Sequence, residues 1–259
     1  MTKIISIHSY RGGTGKSNTT ANLATCLALR GYRVAVVDTD IQSPGVNVLF
    51  ELAEEQISQT LNDFLWGHCS IEAVAYDVSH ILTRETQKQG AGQVYVIPSS
   101  MKTEDITRVL SEGYDVELLQ TGLYDLGESL QLDYLLIDTH PGLNEETLLA
   151  IGISDFFIVI LRPDQQDYLG TAVVVEVAKN LEVPQMLLVI NKVLPDVDRN
   201  SLKQQVEETY QQPVAGILLI SNDMLRLGSQ GLFCLKYPDH LLTAEYNQIV
   251  SLIVNHGGQ

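Results

Sequence analysis

The sequence has few cysteines and no long apolar run. Its three cysteines, Cys26, Cys69 and Cys234, lie far apart, so they form neither a disulfide framework nor the closely spaced ligand pairs of a zinc site. Isolated, reduced thiols are typical of the cytoplasm, which is the compartment that we expect. No segment approaches the roughly 18 consecutive apolar residues of a membrane-spanning helix. The short apolar run at 3–9 is unsuited to a signal peptide and predicts a strand.

Positive charge is also scarce. The chain has 16 Lys and Arg residues against 32 Asp and Glu residues, a formal net charge of −16. Broad DNA binding depends on cations that neutralise phosphates, so this balance argues against it, and it disfavours anionic membrane surfaces as well. Residues 240–259 have apolar side chains at helical spacing but no Lys or Arg. A helix that lies on a membrane carries cations on its polar face, so we predict that this helix packs on the domain instead.

Short apolar runs alternate with amphipathic stretches along most of the chain. The runs are rich in β-branched residues and almost wholly apolar, as strands buried on both faces of a parallel sheet are. The predicted strands are 3–9, 33–40, 93–100, 133–140, 155–163, 185–193 and 214–221. The predicted helices include 15–30, 164–181 and 198–210. This alternation predicts an α/β fold with a doubly wound, mostly parallel sheet of about seven or eight strands flanked by helices.

Residues 51–92 are less regular. A helix is predicted for 58–78 and an exposed loop for 83–93. The sequence contains no repeat, no low-complexity segment and no convincing linker, so we expect a single domain over 1–259.

The stretch HSYRGGTGKSNTT, residues 8–20, is close to a phosphate-binding loop. The usual pattern is Gly, four residues, then Gly-Lys-Ser/Thr, but Tyr10 stands where the first Gly belongs. The glycines let backbone amides approach phosphate oxygens, Lys16 supplies a cation for the phosphates, and Ser17 supplies a hydroxyl for Mg²⁺. The helix that follows adds its positive N-terminal end. The predicted nucleotide-binding residues of this loop are Gly12, Gly13, Thr14, Gly15, Lys16, Ser17 and Asn18.

Polar residues also end three later strands. Asp38 and Asp40 lie on the same side of an extended backbone, where they could hold a Mg²⁺ water and an attacking water, or cap the loop that follows. Asp138 ends an apolar strand in the manner of a Walker-B carboxylate. The Asn191 amide could contact a nucleotide base or form a turn. Because Leu194 stands where a GTPase has Asp, guanine specificity lacks its acidic partner.

The segments RGGTGKS, DTDIQ, LLIDTHPG and LLVINKV together resemble the ParA/MinD family of deviant Walker-A ATPases, and the resemblance spans residues 3 to about 240. In this family the first lysine of the loop reaches the partner subunit's phosphates in an ATP-sandwiched homodimer. The resemblance implies ATP and Mg²⁺ as cofactors, with Ser17, Asp38 and Asp138 at the metal and Asn191 at the adenine. Asp40 would position or activate the water. The implied catalytic residues are Lys16, Asp40 and Arg11.

The chain departs from the family pattern at the signature position itself, where Arg11 replaces the lysine. Arg keeps the charge and can bind phosphate oxygens through two donors, so our hypothesis is that Arg11 acts in trans. It could instead support dimerisation alone, or be a solvated cation at the mouth of the loop. Two further departures are His140, where the family often has Pro, and the acidic run 144–146.

The function implied is that of a slowly hydrolysing ATPase switch that acts in intracellular positioning or partitioning through a protein partner. One alternative is a nucleotide-stabilised scaffold with little turnover, and another is a metabolic ATP-dependent enzyme on the same fold. An iron–sulfur reductase would need cysteines that bridge two subunits, and none of the three fits that position.

Overall fold

The computed structural model describes residues 1–82 and 92–256 of the chain. Within these residues, a single sheet holds eight strands in the order β3-β4-β2-β5-β1-β6-β7-β8. The strands are β1 (Lys3–His8), β2 (Arg33–Asp38), β3 (Tyr76–Asp77), β4 (Gln93–Ile97), β5 (Tyr134–Asp138), β6 (Phe156–Leu161), β7 (Gln185–Val193) and β8 (Val214–Leu219). All neighbours pair in parallel except β3, which pairs antiparallel with β4. The predicted fold class is confirmed.

Helices cover both faces of the sheet. The helices are α1 (Lys16–Ala28), α2 (Val46–Leu49), α3 (Leu61–Leu65), α4 (Thr103–Glu112), α5 (Val116–Ser129), α6 (Glu145–Gly152), α7 (Gln165–Asn180), α8 (Arg199–Tyr210), α9 (Asn222–Leu227), α10 (Phe233–Lys236) and α11 (Leu241–His256), with short 3₁₀ turns at Glu54–Gln56 and Ile71–Val74. Helices α1 and α11 pack on one face, whereas α5, α7 and α8 pack on the other.

The apolar runs form strands because both of their faces are covered. All five residues of β5 and all six of β6 are buried. Leu136 of β5 points into the layer that contains α1, while its neighbours Leu135 and Ile137 point into the layer that contains α5. A strand between two apolar layers has no polar face, which explains why these segments lack the alternation of a half-exposed strand.

The predicted bounds of β7, 185–193, are confirmed, but those of the other strands run too far at the carboxyl end. The predicted strand 33–40 ends at Asp38, and the predicted strand 133–140 ends at Asp138. In both cases the polar residues beyond the aspartate leave the ladder and form the loops of the candidate site described below. The two strands therefore end earlier than predicted because these residues form loops instead of pairing in the sheet.

The helix predicted for 58–78 is mostly wrong. Helix α3 ends at Leu65, Gly67 then takes a positive φ of 73°, and the chain continues through a 3₁₀ turn into β3. Glycine adopts this backbone conformation at no steric cost, so the helix ends there. The short strand β3 was not predicted. The loop predicted for 83–93 falls mostly outside the described residues.

The C-terminal helix α11 packs on the domain, as predicted. Its residues Leu242, Tyr246, Ile249, Val250 and Ile253 are buried in the same layer as α1. In the part of the chain that the structure describes, no helix combines the length and the apolar character needed to cross a membrane.

The register of the three central strands determines what lies at the carboxyl edge of the sheet. Asp38 of β2 is the pairing partner of Asp138 of β5, and Asp138 also pairs with Ile7 of β1. The loop that follows β1 therefore lies beside two aspartates that come from the neighbouring strands. Ligands of open α/β sheets bind at this edge.

Candidate functional site

The loop after β1 has the backbone of a phosphate-binding loop. It connects β1 to α1, and its residues Gly13 and Gly15 have positive φ angles of 75° and 97°. A side chain at Gly15 would collide with the amide of Asn191. Gly12 and Gly13 are exposed, so their backbone is open to a ligand, and α1 begins directly at Lys16.

The loop after β7 supports the phosphate-binding loop from behind. Asn191 Nδ2 donates to the Thr14 carbonyl at 2.7 Å, and Lys192 Nζ donates to the Gly13 carbonyl at 2.7 Å. Thr14 Oγ1 is buried without a hydrogen-bond partner, which is costly unless a ligand supplies one. These contacts fix the carbonyl side of the loop and leave its amides available.

Three aspartates and one lysine meet beside this loop. Asp38, Asp40 and Asp138 are 1%, 8% and 0% exposed, and Lys16 is also buried. Lys16 Nζ lies 3.4 Å from Asp138 Oδ1 and 3.7 Å from Asp40 Oδ2. A buried lysine and three buried carboxylates leave an excess of negative charge that favours a cation at this position.

The two strand-end aspartates fit a magnesium site. Burial, and next the charge of Asp138, raise the pKa of Asp38 from 3.8 to about 7, although the Gly45 and Val46 amides bind the Asp38 carboxylate at 2.9 and 3.1 Å. Asp38 thus caps the loop that follows, as one of the two sequence interpretations has it, and its role at a metal stays a prediction. Asp138 Oδ2 is buried without a partner, an oxygen that a hydrated cation would satisfy.

The described residues contain no group of three or more side chains arranged to hold a metal by themselves. An ion at this place would need phosphate oxygens and water to complete its shell, as Mg²⁺ in nucleotide sites does. Ser17, the second residue of α1, follows Lys16 directly and carries the hydroxyl that would take part in such a shell. Asn18 comes next on the same turn, and both residues are half-buried.

Asp40 has a partner that the sequence interpretation did not include among the site residues. His140 Nδ1 lies 2.6 Å from Asp40 Oδ1, and the same oxygen accepts a hydrogen bond from the Ser43 amide at 3.2 Å. In the sequence, His140 stood out only as a departure from the family pattern. Its position two residues after Asp138 was the available signal, because β5 pairs with β2 and brings the two loops together.

Arg11 is bound to acidic residues of its own chain. Its Nη1 atom lies 3.4 Å from Asp167 Oδ1 and 3.6 Å from Asp164 Oδ1. Arg162 Nε also binds Asp167, at 2.8 Å. Burial tends to raise the pKa of Asp167, but the Arg162 hydrogen bonds and the Arg11 charge bring it below its usual value. The sequence interpretation did not include these aspartates because they lie more than a hundred residues from Arg11.

Exposed apolar side chains surround Arg11. The Tyr10 ring packs against Gly170 of α7, where any larger residue would collide with it. Tyr10, Leu169 and Val173 are 41%, 64% and 46% exposed, and they line one shallow hollow together with Arg11. The aromatic residue that replaces the first glycine of the usual pattern therefore forms part of an apolar surface.

A strand–loop–helix with these glycines, a lysine at the helix start and an aspartate on the neighbouring strand defines a P-loop nucleotide-binding protein. The comparisons with known proteins narrow the class. A family model described as "AAA domain" matches residues 2–185. The septum site-determining protein MinD of Bacillus subtilis is 27% identical over 264 residues, 98% of this chain and 90% of that protein. The chain belongs to the ParA/MinD family of P-loop ATPases, as the sequence predicted.

The chain is also similar to a solved MinD structure and to a protein of a different function. The structure of the septum site-determining protein MinD from Pyrococcus horikoshii, complexed with Mg-ADP, superimposes with a TM-score of 0.80 and covers 100% of this chain and 98% of that one at 22% identity. An iron–sulfur cluster carrier protein of Methanococcus maripaludis is 32% identical over 202 residues, 75% of this chain and 63% of that protein. In the present chain Cys26 and Cys234 are buried and Cys69 is half-buried, so the thiols do not form a surface cluster ligand set.

Proposed function

We propose that this protein is an ATP-binding, slowly hydrolysing molecular switch that acts as an ATP-sandwiched homodimer. In this proposal it serves intracellular positioning or partitioning through a protein partner in the cytoplasm. The observation that carries the proposal is the buried group formed by Lys16, Asp38, Asp40 and Asp138 beside the phosphate-binding loop.

Nucleotide binding would rearrange the charges of this group. Lys16 is paired with Asp138 and Asp40 at 3.4 and 3.7 Å, and the phosphates would attract it away from both. The amides of 12–18 and the N-terminal end of α1 would bind phosphate oxygens. To contact the adenine, as the family resemblance implies, the Asn191 amide would have to exchange its contacts with the Thr14 carbonyl and the Lys192 amide. Ser17, Asp38 and Asp138 would hold Mg²⁺, which neutralises charge on the phosphates when it is bound.

Asp40 is the residue that we assign to the attacking water. Its Oδ1 is held by His140 and the Ser43 amide, so Oδ2 is the oxygen that faces Lys16 and the loop. Once Lys16 engages phosphate, this oxygen would accept a hydrogen bond from a water and orient it toward the terminal phosphorus.

The surroundings of Arg11 support the proposed dimer. Tyr10, Leu169 and Val173 expose apolar surface next to the loop, and a second subunit would bury it. Arg11 would exchange its contacts with Asp164 and Asp167 for phosphate oxygens of the partner's nucleotide, as the family lysine does. This exchange replaces one charge-assisted contact with another, so Arg11 can make it without remaining unpaired.

The net charge of −16 indicates which charge a protein partner should carry on its contact surface. Complementary charge speeds association and disfavours wrong partners, so we expect a partner with a basic contact surface. The acidic balance also argues against DNA as the surface that the dimer uses.

ATP turnover by the wild-type protein and by Lys16→Ala tests the proposed site. We expect wild-type hydrolysis to be slow, and the variant to lose ATP binding because the loop lacks its cation. Lys203→Ala is the control: Lys203 is an exposed lysine of α8 that pairs with Glu207, so its removal should leave ATP affinity unchanged. Unchanged ATP affinity in Lys16→Ala would refute the phosphate-loop assignment. Normal binding without turnover in the wild type would favour the scaffold alternative.

A further inference from the structure

The two oxygens of the Asp40 carboxylate have different partners. Oδ1 lies 2.6 Å from His140 Nδ1 and 3.2 Å from the Ser43 amide, whereas Oδ2 lies 3.7 Å from Lys16 Nζ. Because a carboxylate only accepts hydrogen bonds, Nδ1 of His140 must be the donor. The distance is short for an N–H···O contact, as expected when the acceptor is charged.

The loop that carries His140 is tied to β1 before the histidine and to the phosphate-binding loop after it. Thr139 Oγ1 donates to the Ile7 carbonyl at 3.0 Å. The Gly142 amide donates to the Ser9 carbonyl at 3.2 Å. The imidazole is therefore presented to Asp40 by backbone that is anchored to β1 and its loop, which limits how far the Nδ1–H group can move.

The Lys16 contact is the one that a bound phosphate would remove. The contacts from His140 and Ser43 involve neither the lysine nor the loop amides, so they can persist when Lys16 turns to the phosphates. Of these two, the contact from His140 is the shorter and comes from the neighbouring strand's loop, whereas Ser43 belongs to the same loop as Asp40.

We propose that His140 is a positioning residue that keeps the Asp40 carboxylate aimed at the attacking water after nucleotide has drawn Lys16 away. This inference rests on the proposed function, because it requires that Asp40 handle the water. It assigns to His140 a task that a proline at this position, which has no side-chain donor, cannot perform. His140 acts through Asp40 and is not required to touch the nucleotide.

Steady-state ATPase kinetics of three substitutions at this position test the proposal. His140→Ala removes the donor, and we expect kcat to fall about ten- to hundredfold, the usual effect of a lost hydrogen bond to a charged group, with KM unchanged. His140→Asn places an amide donor near the position of Nδ1 and should restore most of kcat. His140→Gln places its amide near the position of Nε2 instead and should not restore it. His68→Ala, a substitution of an exposed histidine outside the site, is the control for surface effects.

The Asp40→Ala background separates positioning from a general structural effect. If His140 acts only through Asp40, adding His140→Ala to Asp40→Ala should cause no further loss of turnover. Thermal unfolding of each variant verifies folding, and the contrast between Asn and Gln remains informative should the Ala variant be unstable.

Several outcomes would overturn the inference. Wild-type kcat in His140→Ala, an increase in KM alone, or equal rescue by Asn and Gln would each show that His140 does not position Asp40. Absence of ATP turnover in the wild type would contradict the proposed function itself and remove the basis of the inference with it. If the wild type hydrolyses ATP and His140→Ala has the same kcat, only the positioning role of His140 is contradicted, and the proposed function stands.

Discussion

The two cations of the candidate site are already paired with acidic side chains. A bound phosphate would have to replace those partners. Lys16 is bound by Asp138 and Asp40, and Arg11 by Asp167 and Asp164. Each cation that the proposed chemistry directs toward phosphate is thus neutralised by an aspartate of the same chain. Phosphate binding then replaces an existing ion pair for each cation, and Mg²⁺ would compensate the buried Asp138 carboxylate that Lys16 leaves.

His8 gives a prediction about acid stability. Burial, followed by the charges of Lys16 and His140, lowers the pKa of His8 from 6.5 to about 3. The unfolded chain takes up a proton below pH 6.5 while the folded protein keeps His8 neutral, so stability is lost as the pH falls from 6.5 toward 3. Each pH unit below 6.5 lowers the free energy of unfolding by ~1.4 kcal/mol through this residue. At pH 5 the loss from His8 should therefore be about 2 kcal/mol.

His8→Phe isolates this effect because Phe keeps an aromatic ring stacked near Phe157 and does not titrate. The free energy of unfolding, measured in urea without nucleotide or Mg²⁺, should shift by about 2 kcal/mol in favour of the variant between pH 7.5 and pH 5. The lost contact of His8 with Thr139 Oγ1 adds an offset that is the same at both pH values. A difference between the two proteins that does not change with pH would contradict the buried, neutral state of His8.

At the scale of elements, the sequence predicted what is local and missed what is distant. The strands were visible because burial on both faces leaves continuous apolar runs, and the glycines and Lys16 of the loop are neighbours in the chain. The contact of Asp40 with His140 joins residues 100 apart, and that of Arg11 with Asp167 joins residues 156 apart. Such pairs depend on strand order, which no short-range pattern encodes. Strand β3 was missed because two residues are too few to show periodicity.

Helix α11 gives a prediction at this scale through two adjacent leucines. Leu242 is 4% exposed in the layer shared with α1, whereas Leu241 is 67% exposed. Leu242→Ala should lower the free energy of unfolding by about 2–5 kcal/mol because it leaves a cavity. Leu241→Ala should change it by less than about 0.5 kcal/mol. Urea denaturation of the two variants measures both values, and equal losses would mean that α11 does not pack as described.

At the scale of the whole molecule, one sheet contains every strand from β1 to β8, and the C-terminal helix packs beside the first helix. We propose on this basis that residues 1–259 form one domain. With a single domain, the two halves of an ATP-sandwiched site have to come from two subunits. Two chains of net charge −16 repel each other, so the salt concentration has to be fixed when association is measured.

The solution mass of Asp40→Ala with Mg-ATP and with Mg-ADP tests the central claim most directly. Size exclusion with light scattering at matched protein concentration and about 0.15 M salt, where the Debye length is about 8 Å, is the suitable method. We predict twice the chain mass of 28.6 kDa with Mg-ATP and a single chain mass with Mg-ADP, because only ATP offers the terminal phosphate to the partner's Arg11. A mass of one chain in both nucleotides, with ATP bound, would contradict the switch that we propose.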